Sequence, residues 1–193
     1  MNQTRSYEFQ LKQLIFESSM ILNILQAART VDLPNWYIGA GLLRNLVWDY
    51  LHQYDTPSPL NDVDVAFFDA GDWSRERDKL ANDQLTAVLP HVEWEATNQA
   101  AVHTWHEAYF GYPVDPYESV EDGIAAWPET ATAVAVRLLP HDSLKIFAPF
   151  GLSDLFEMKL RRNKRKVTLE EFRNRYIKKE IKNKWPHVTF IDG

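Results

Sequence analysis

The chain has 193 residues, 45% hydrophobic and 25% charged, enough for one domain with an ordinary core, or one domain with a small appendage. It has no cysteine, which excludes disulfides, thiolate zinc sites and cysteine nucleophiles. The formal charge of −6 is uneven: residues 159–193 carry 12 Lys and Arg against 4 Asp and Glu, residues 1–158 only 9 against 23, so the acidic body repels nucleic acid and only the tail attracts a polyanion.

The N-terminus lacks the apolar core of a signal peptide, and no apolar run approaches the ~20 residues of a membrane span, so the expected location is cytoplasmic. Leu11, Leu14, Ile15, Ser18, Ile21, Leu22 and Leu25 follow helical spacing and predict one amphipathic helix over residues 6–29. Asp32 to Asn35 breaks it, and Trp36 to Ile38 reads as a short buried strand. A helix follows the glycines, with Leu42, Leu43, Leu46, Val47, Tyr50 and Leu51. A Pro-Ser-Pro loop leads to a strand over 62–68, and Ser74 caps a helix to Leu89.

Residues 92–96 alternate as a strand, and Asn98 to Tyr109 suggests a helix. Pro113, Pro116 and Pro128 mark a loop-rich middle, where Ser119 opens a capping box with Asp122 in place of Glu or Gln. Strands are expected over 130–139 and 144–148. In the first, Thr132, Val134, Val136 and Leu138 face one way, Ala133, Ala135 and Arg137 the other. Thr168 caps a basic final helix whose apolar face is Phe172, Tyr176, Ile177 and Ile181. The mixed order predicts an α/β (α+β) fold, a small mixed sheet flanked by helices with a C-terminal extension. The expected division is 1–158 for the main domain and 159–193 for a basic segment docked on it.

The chemistry concentrates in Tyr37-Ile-Gly-Ala-Gly-Leu-Leu-Arg44-Asn45 and Asn61-Asp-Val-Asp-Val-Ala-Phe-Phe68. Alternation on a strand points Asp62 and Asp64 the same way, with Val63, Val65 and Phe67 opposite. Aligned carboxylates suit a divalent cation that carries phosphates. A glycine turn opening a helix suits the phosphates themselves. Together they suggest nucleotidyl transfer. The bland reading of Gly39 and Gly41 is a tight turn without ligand. Arg44 is either an ion pair with Asp62 or Asp64, or a contact to the triphosphate.

These residues resemble the polymerase-beta-like nucleotidyltransferase superfamily, whose hallmark is a glycine turn and helix followed by Asp-x-Asp or Asp-x-Glu on a strand. Gly41-Leu-Leu-Arg44-Asn45 with Asp62-x-Asp64 is most similar to the tRNA-nucleotidyltransferase head variant. Ala40-Gly41 stands where that variant has a glycine pair, and Asn45 where it has an aspartate. Nearly the whole chain resembles a bacterial family of small nucleotidyltransferase-like proteins. The segments that carry this are Asn61 to Asp69, Asn98 to His103, Trp127 to Thr132 and Ala148 to Leu155.

The resemblance implies a metal-dependent nucleotidyltransferase that moves an NMP from an NTP to an acceptor, which could be a small molecule, RNA or protein. Asp62 and Asp64 would hold Mg²⁺ or Mn²⁺, and Gly39, Gly41 and Arg44 would cradle phosphates. Such transfer usually needs a third carboxylate as base. Glu95 is the first choice, Glu93 shares its face, and Asp142 is the reserve. Asn98 and His103 would form a polar pocket wall. Two other readings stay open: a non-catalytic nucleotide-binding or regulatory protein that keeps the fold, and an RNA-interaction module built on the basic run Lys159 to Lys166.

Overall fold

The computed structural model describes residues 3–164, 167–178 and 180–191. Two helices, α1 (Gln3–Glu17) and α2 (Ser19–Val31), replace the single helix expected over 6–29. Ser18 divides them, because its hydroxyl accepts the Ile21 amide as an N-cap. The apolar stripe runs through the break and hides it. The chain continues through β1 (Tyr37–Gly39), α3 (Gly41–Leu51), β2 (Val63–Phe67), α4 (Arg75–Val88) and β3 (Trp94–Asn98). A 3₁₀ turn over Gln99–Ala101 leads into α5 (Val102–Phe110) and α6 (Val120–Ala125). Then come β4 (Ala135–Leu138), β5 (Leu144–Phe147), α7 (Ser153–Phe156), β6 (Lys159–Arg161), α8 (Leu169–Lys178), α9 (Ile181–Lys184) and β7 (Thr189–Ile191).

Five strands form a mixed sheet in the order β3-β2-β1-β4-β5, with only β2 and β3 parallel. Alternation along β2 assigns its two faces. Val63, Val65 and Phe67 join the main core with Ile38, Trp94, Val136 and residues of α1 to α4. On the opposite face Ala66 meets Tyr37, Ala135, Val120 and Ile124, so α6 covers only the far end of the strands. The near end of that face carries Asp64 and lines a cleft.

The C-terminal segment enters the same core. Phe172, Ile181, Trp185 and Val188 are buried there. Thr168 and Glu171 cap α8 reciprocally, each side chain accepting the other's backbone amide. Ile177 departs from the expected apolar face and is 70% exposed, while Ile181 packs from a separate helix because Glu180 (φ 51°) ends α8. Residues 159–164 of the basic run form a strand and turn, and three of their cations are used internally. Lys159 pairs with Glu157, Arg161 with Asp154, and Arg162 donates to the Val167 carbonyl. These contacts remove three of the cations on which the RNA reading relied. Arg165 and Lys166 lie outside the described residues.

Asp154 ties this run to the cleft wall, accepting from Arg161 Nε at 2.8 Å and from the Thr130 hydroxyl at 2.6 Å. Burial works to raise its pKa, but the bonds from Arg161 and Thr130 outweigh burial and hold the carboxyl below its ordinary value. A depressed folded pKa gives stability that is complete above the unfolded pKa and is lost as pH falls through the folded one. Asp154→Asn is therefore expected to melt lower than wild type at neutral pH and to lose less on acidification below about pH 4. Thermal melts over that range check it, and parallel curves would refute it.

Candidate active site

The cleft is built where the uncovered end of the sheet faces the start of α3. In the parallel pair β2 and β3, Asp64 is the direct partner of Glu95, which puts both carboxylates side by side on the open face. Adjacent strands lie about 4.8 Å apart. Asp62, just before β2, lines the same cavity of about 880 Å³, together with Gly41, Arg44 and Asn45. The Glu95 backbone belongs to a strand that starts at Trp94 rather than at residue 92, and Glu93 precedes it. Asp142, the reserve carboxylate, sits in the β4–β5 turn and pairs with Arg29, so it takes no part in the cleft.

The turn into α3 separates its three residues. Gly39 is required by packing, since a Cβ there would stand 2.3 Å from the Val134 carbonyl oxygen. It lines none of the three cavities around the carboxylates. Ala40 adopts φ 51°, ψ −117°, a conformation suited to glycine, and caps α3 without a side-chain bond. Gly41 lines the cleft, and a Cβ there meets only Arg44 Nη2 at 3.6 Å, an ordinary contact. The first amides of α3 thus open toward the cavity without a side-chain cap.

This arrangement separates strain from binding. Ala40→Gly is expected to raise stability by up to about 1 kcal/mol by relieving the backbone, read by urea unfolding. Gly41→Ala is expected to fold with unchanged or higher stability and to bind NTP about tenfold more weakly, because its methyl occupies the approach to the helix amides. Equal NTP affinity in Gly41→Ala would reduce the turn to its bland reading.

Arg44 is buried and held from three sides. Its Nε and Nη2 donate to Asn45 Oδ1 at 3.2 and 2.9 Å, and its guanidinium lies 5.1 Å from the Trp185 ring and 5.8 Å from Trp48. Asn45 therefore braces the arginine as a neutral amide. Burial pulls the Arg44 pKa below its ordinary value, while the charges of Glu129, Asp64 and Asp62 oppose that pull.

Sequence reasoning missed the cations and the fourth carboxylate of the cleft. Arg175 and Lys178 of α8 line it beside Asp64 and Glu95, and Lys184 and Arg75 lie at its edge. Buried Glu129 accepts from Arg175 Nε at 3.2 Å and from the Thr132 hydroxyl at 2.7 Å, fixing the arginine toward the carboxylates. The only forewarning was the segment Trp127 to Thr132, noticed without a role. Conversely, Asn98 is removed from the binding set. It is fully buried, bonding Asp69, Asp72 and Ala100 through its side chain. His103 packs edge-on against Trp73 and lines none of these cavities.

The donor set Asp62, Asp64 and Glu95 is all oxygen, which suits Mg²⁺ or Mn²⁺. As the side chains stand, no three His, Asp or Glu among the described residues form a closed metal-holding group. Also among those residues, no helix is long and apolar enough to cross a membrane.

A solved NMR structure whose description says that it reveals a CCA-adding enzyme head domain superimposes with a TM-score of 0.79 at 28% identity, covering 95% of each chain. Its fold is that of a nucleotidyltransferase head, and this chain shares it. The chain belongs to the nucleotidyltransferase family, whose profile matches residues 26–190. No curated protein matches the chain.

Proposed function

We propose that the protein transfers an NMP from an NTP to an acceptor hydroxyl, dependent on Mg²⁺ or Mn²⁺. The observation that carries this reading is the register pairing of Asp64 with Glu95 on the open sheet face, opposite the uncapped start of α3. Asp62 and Asp64 would hold the metal ion, which when bound supplies charge stabilisation at the transferred phosphate. Gly41 and Arg44 bind phosphate oxygens, and Arg175 and Lys178 offset the remaining negative charge. Glu95 takes the proton of the acceptor hydroxyl. The hydroxyl oxygen bonds to the α-phosphorus, the bond to the oxygen bridging α and β breaks, and pyrophosphate leaves with that electron pair.

Incubation with each α-labelled NTP, Mn²⁺ and cell extract tests this. Label appearing on an acceptor, with release of pyrophosphate and dependence on Glu95, supports transfer. Binding of NTP with no transfer to any component would select the second reading, a nucleotide-binding protein that keeps the fold. That reading is favoured by two departures from the motif, Ala40 for glycine and Asn45 for aspartate.

A further inference from the structure

A second cavity of about 470 Å³ begins at the same two carboxylates and runs the other way. It extends from Asp64 and Glu95 along the strands to Ala66, Thr97 and Gln99, under the loop between α5 and α6. The two cavities differ in charge. The larger is lined by Arg44, Arg75, Arg175, Lys178 and Lys184, which suits a polyanion. Among the described residues the smaller has one cation, Arg175, against the carboxylates Asp64, Glu95 and Glu171, and Trp105, Phe110, Tyr112, Tyr117 and Trp127 dominate its walls, the first two shared with the larger cavity. That volume and aromatic lining match a site for one small molecule.

Its charged groups are Asp64, Glu95, Glu171 and Arg175. His106 Nδ1 lies 2.9 Å from the Tyr112 carbonyl oxygen. A carbonyl only accepts, so Nδ1 carries the hydrogen in this contact. The walls thus combine flat aromatic surface with the carboxylates Asp64, Glu95 and Glu171 and the amides of Gln99 and Asn174.

We propose that this aromatic cavity is the acceptor site, and that the acceptor is a small, planar molecule bearing a hydroxyl. This rests on the transfer reading above and names its substrate class. The triphosphate occupies the cationic cavity, the planar acceptor occupies the aromatic one, and Asp64 and Glu95 stand between them. A hydroxyl presented at that boundary meets the α-phosphorus from the side away from the phosphate cradle, as in-line displacement requires. Its proton passes to Glu95 and its oxygen receives the NMP while pyrophosphate departs. RNA does not suit this cavity, since its backbone would bring phosphates against Asp64, Glu95 and Glu171.

The test uses the full chain and Ala126→Phe. Ala126 lines only the aromatic cavity of the two and has φ −90°, which any residue adopts. The probe is 2-naphthol, followed by saturation-transfer NMR, with and without Mn²⁺–ATP. The expected result is saturable binding that persists with Mn²⁺–ATP present and weakens at least about tenfold in Ala126→Phe. Displacement of naphthol by Mn²⁺–ATP would overturn the proposal, because the cavity would then hold the nucleobase. Absent binding, or equal binding in the variant, overturns it as well. Thermal melts with Mn²⁺–ATP read the transfer reading separately. A missing ATP shift with intact naphthol binding would sink transfer, and with it the acceptor role, while leaving a small-molecule site. In labelled extract, label on a small extractable product supports the assignment, and label on RNA or protein alone refutes it.

Discussion

The double variant Asp62→Asn/Asp64→Asn is expected to stay folded while losing transfer by on the order of 10³-fold or more. It should also lose the rise in melting temperature that Mn²⁺ with NTP gives the wild type by mass action on the folded state. Folding survives because β2 is anchored by its other face, Val63, Val65 and Phe67, and neither aspartate belongs to the core. Asparagine keeps the shape and removes the charge. Metal-free NTP should bind no worse, and at low salt somewhat better, since Arg44 and Arg175 would then meet the phosphates without two competing carboxylates. Differential scanning fluorimetry with NTP alone and with NTP plus Mn²⁺ separates the two effects. A metal-dependent shift that persists in the double variant would sink the assignment.

What could be read from the sequence was local, and what could not was long-range. The alternation of Val63, Asp64, Val65 and Phe67 gave both faces of β2, and Ser74, Ser119 and Thr168 announced their helices, because a cap acts within four residues. Sequence favours Glu95 over Glu93 only because it lies nearer the Asn98 boundary, where a pocket could open. Its placement opposite Asp64 is a matter of register between parallel strands joined by a helix, which no local pattern encodes. A polar residue at a strand end reads equally as a pocket wall and as a loop clamp, and tertiary contacts make Asn98 the clamp. Glu129 and Arg175 lie 46 residues apart, and only docking of α8 brings them together. The basic composition of the tail points outward to RNA, whereas Lys159, Arg161 and Arg175 turn to Glu157, Asp154 and Glu129, and Lys178 and Lys184 line the cleft.

That inward docking gives Trp185→Ala the largest expected effect on stability. Trp185 is 1% exposed, packs edge-on to Trp48 at 5.4 Å, and donates from Nε1 to Asp49 Oδ1 at 2.7 Å. Asp49 also accepts the amide and hydroxyl of Ser58, so the indole closes a network that pins the loop leading to Asp62. Truncation to alanine leaves a large void beside Trp48 and is expected to cost about 3–5 kcal/mol. Trp185→Phe keeps part of the packing and the ring face but drops the bond to Asp49, and should cost about 1–3 kcal/mol. Ile177→Ala, on the exposed side of α8, should stay within about 0.5 kcal/mol of wild type. Urea unfolding ranks the three. The same indole supports the Arg44 guanidinium, so NTP affinity should fall in the order wild type, Trp185→Phe, Trp185→Ala. A Trp185→Ala protein as stable as wild type would show that the C-terminal segment only decorates the domain. Full NTP affinity in that variant would separate the tail from the phosphate site.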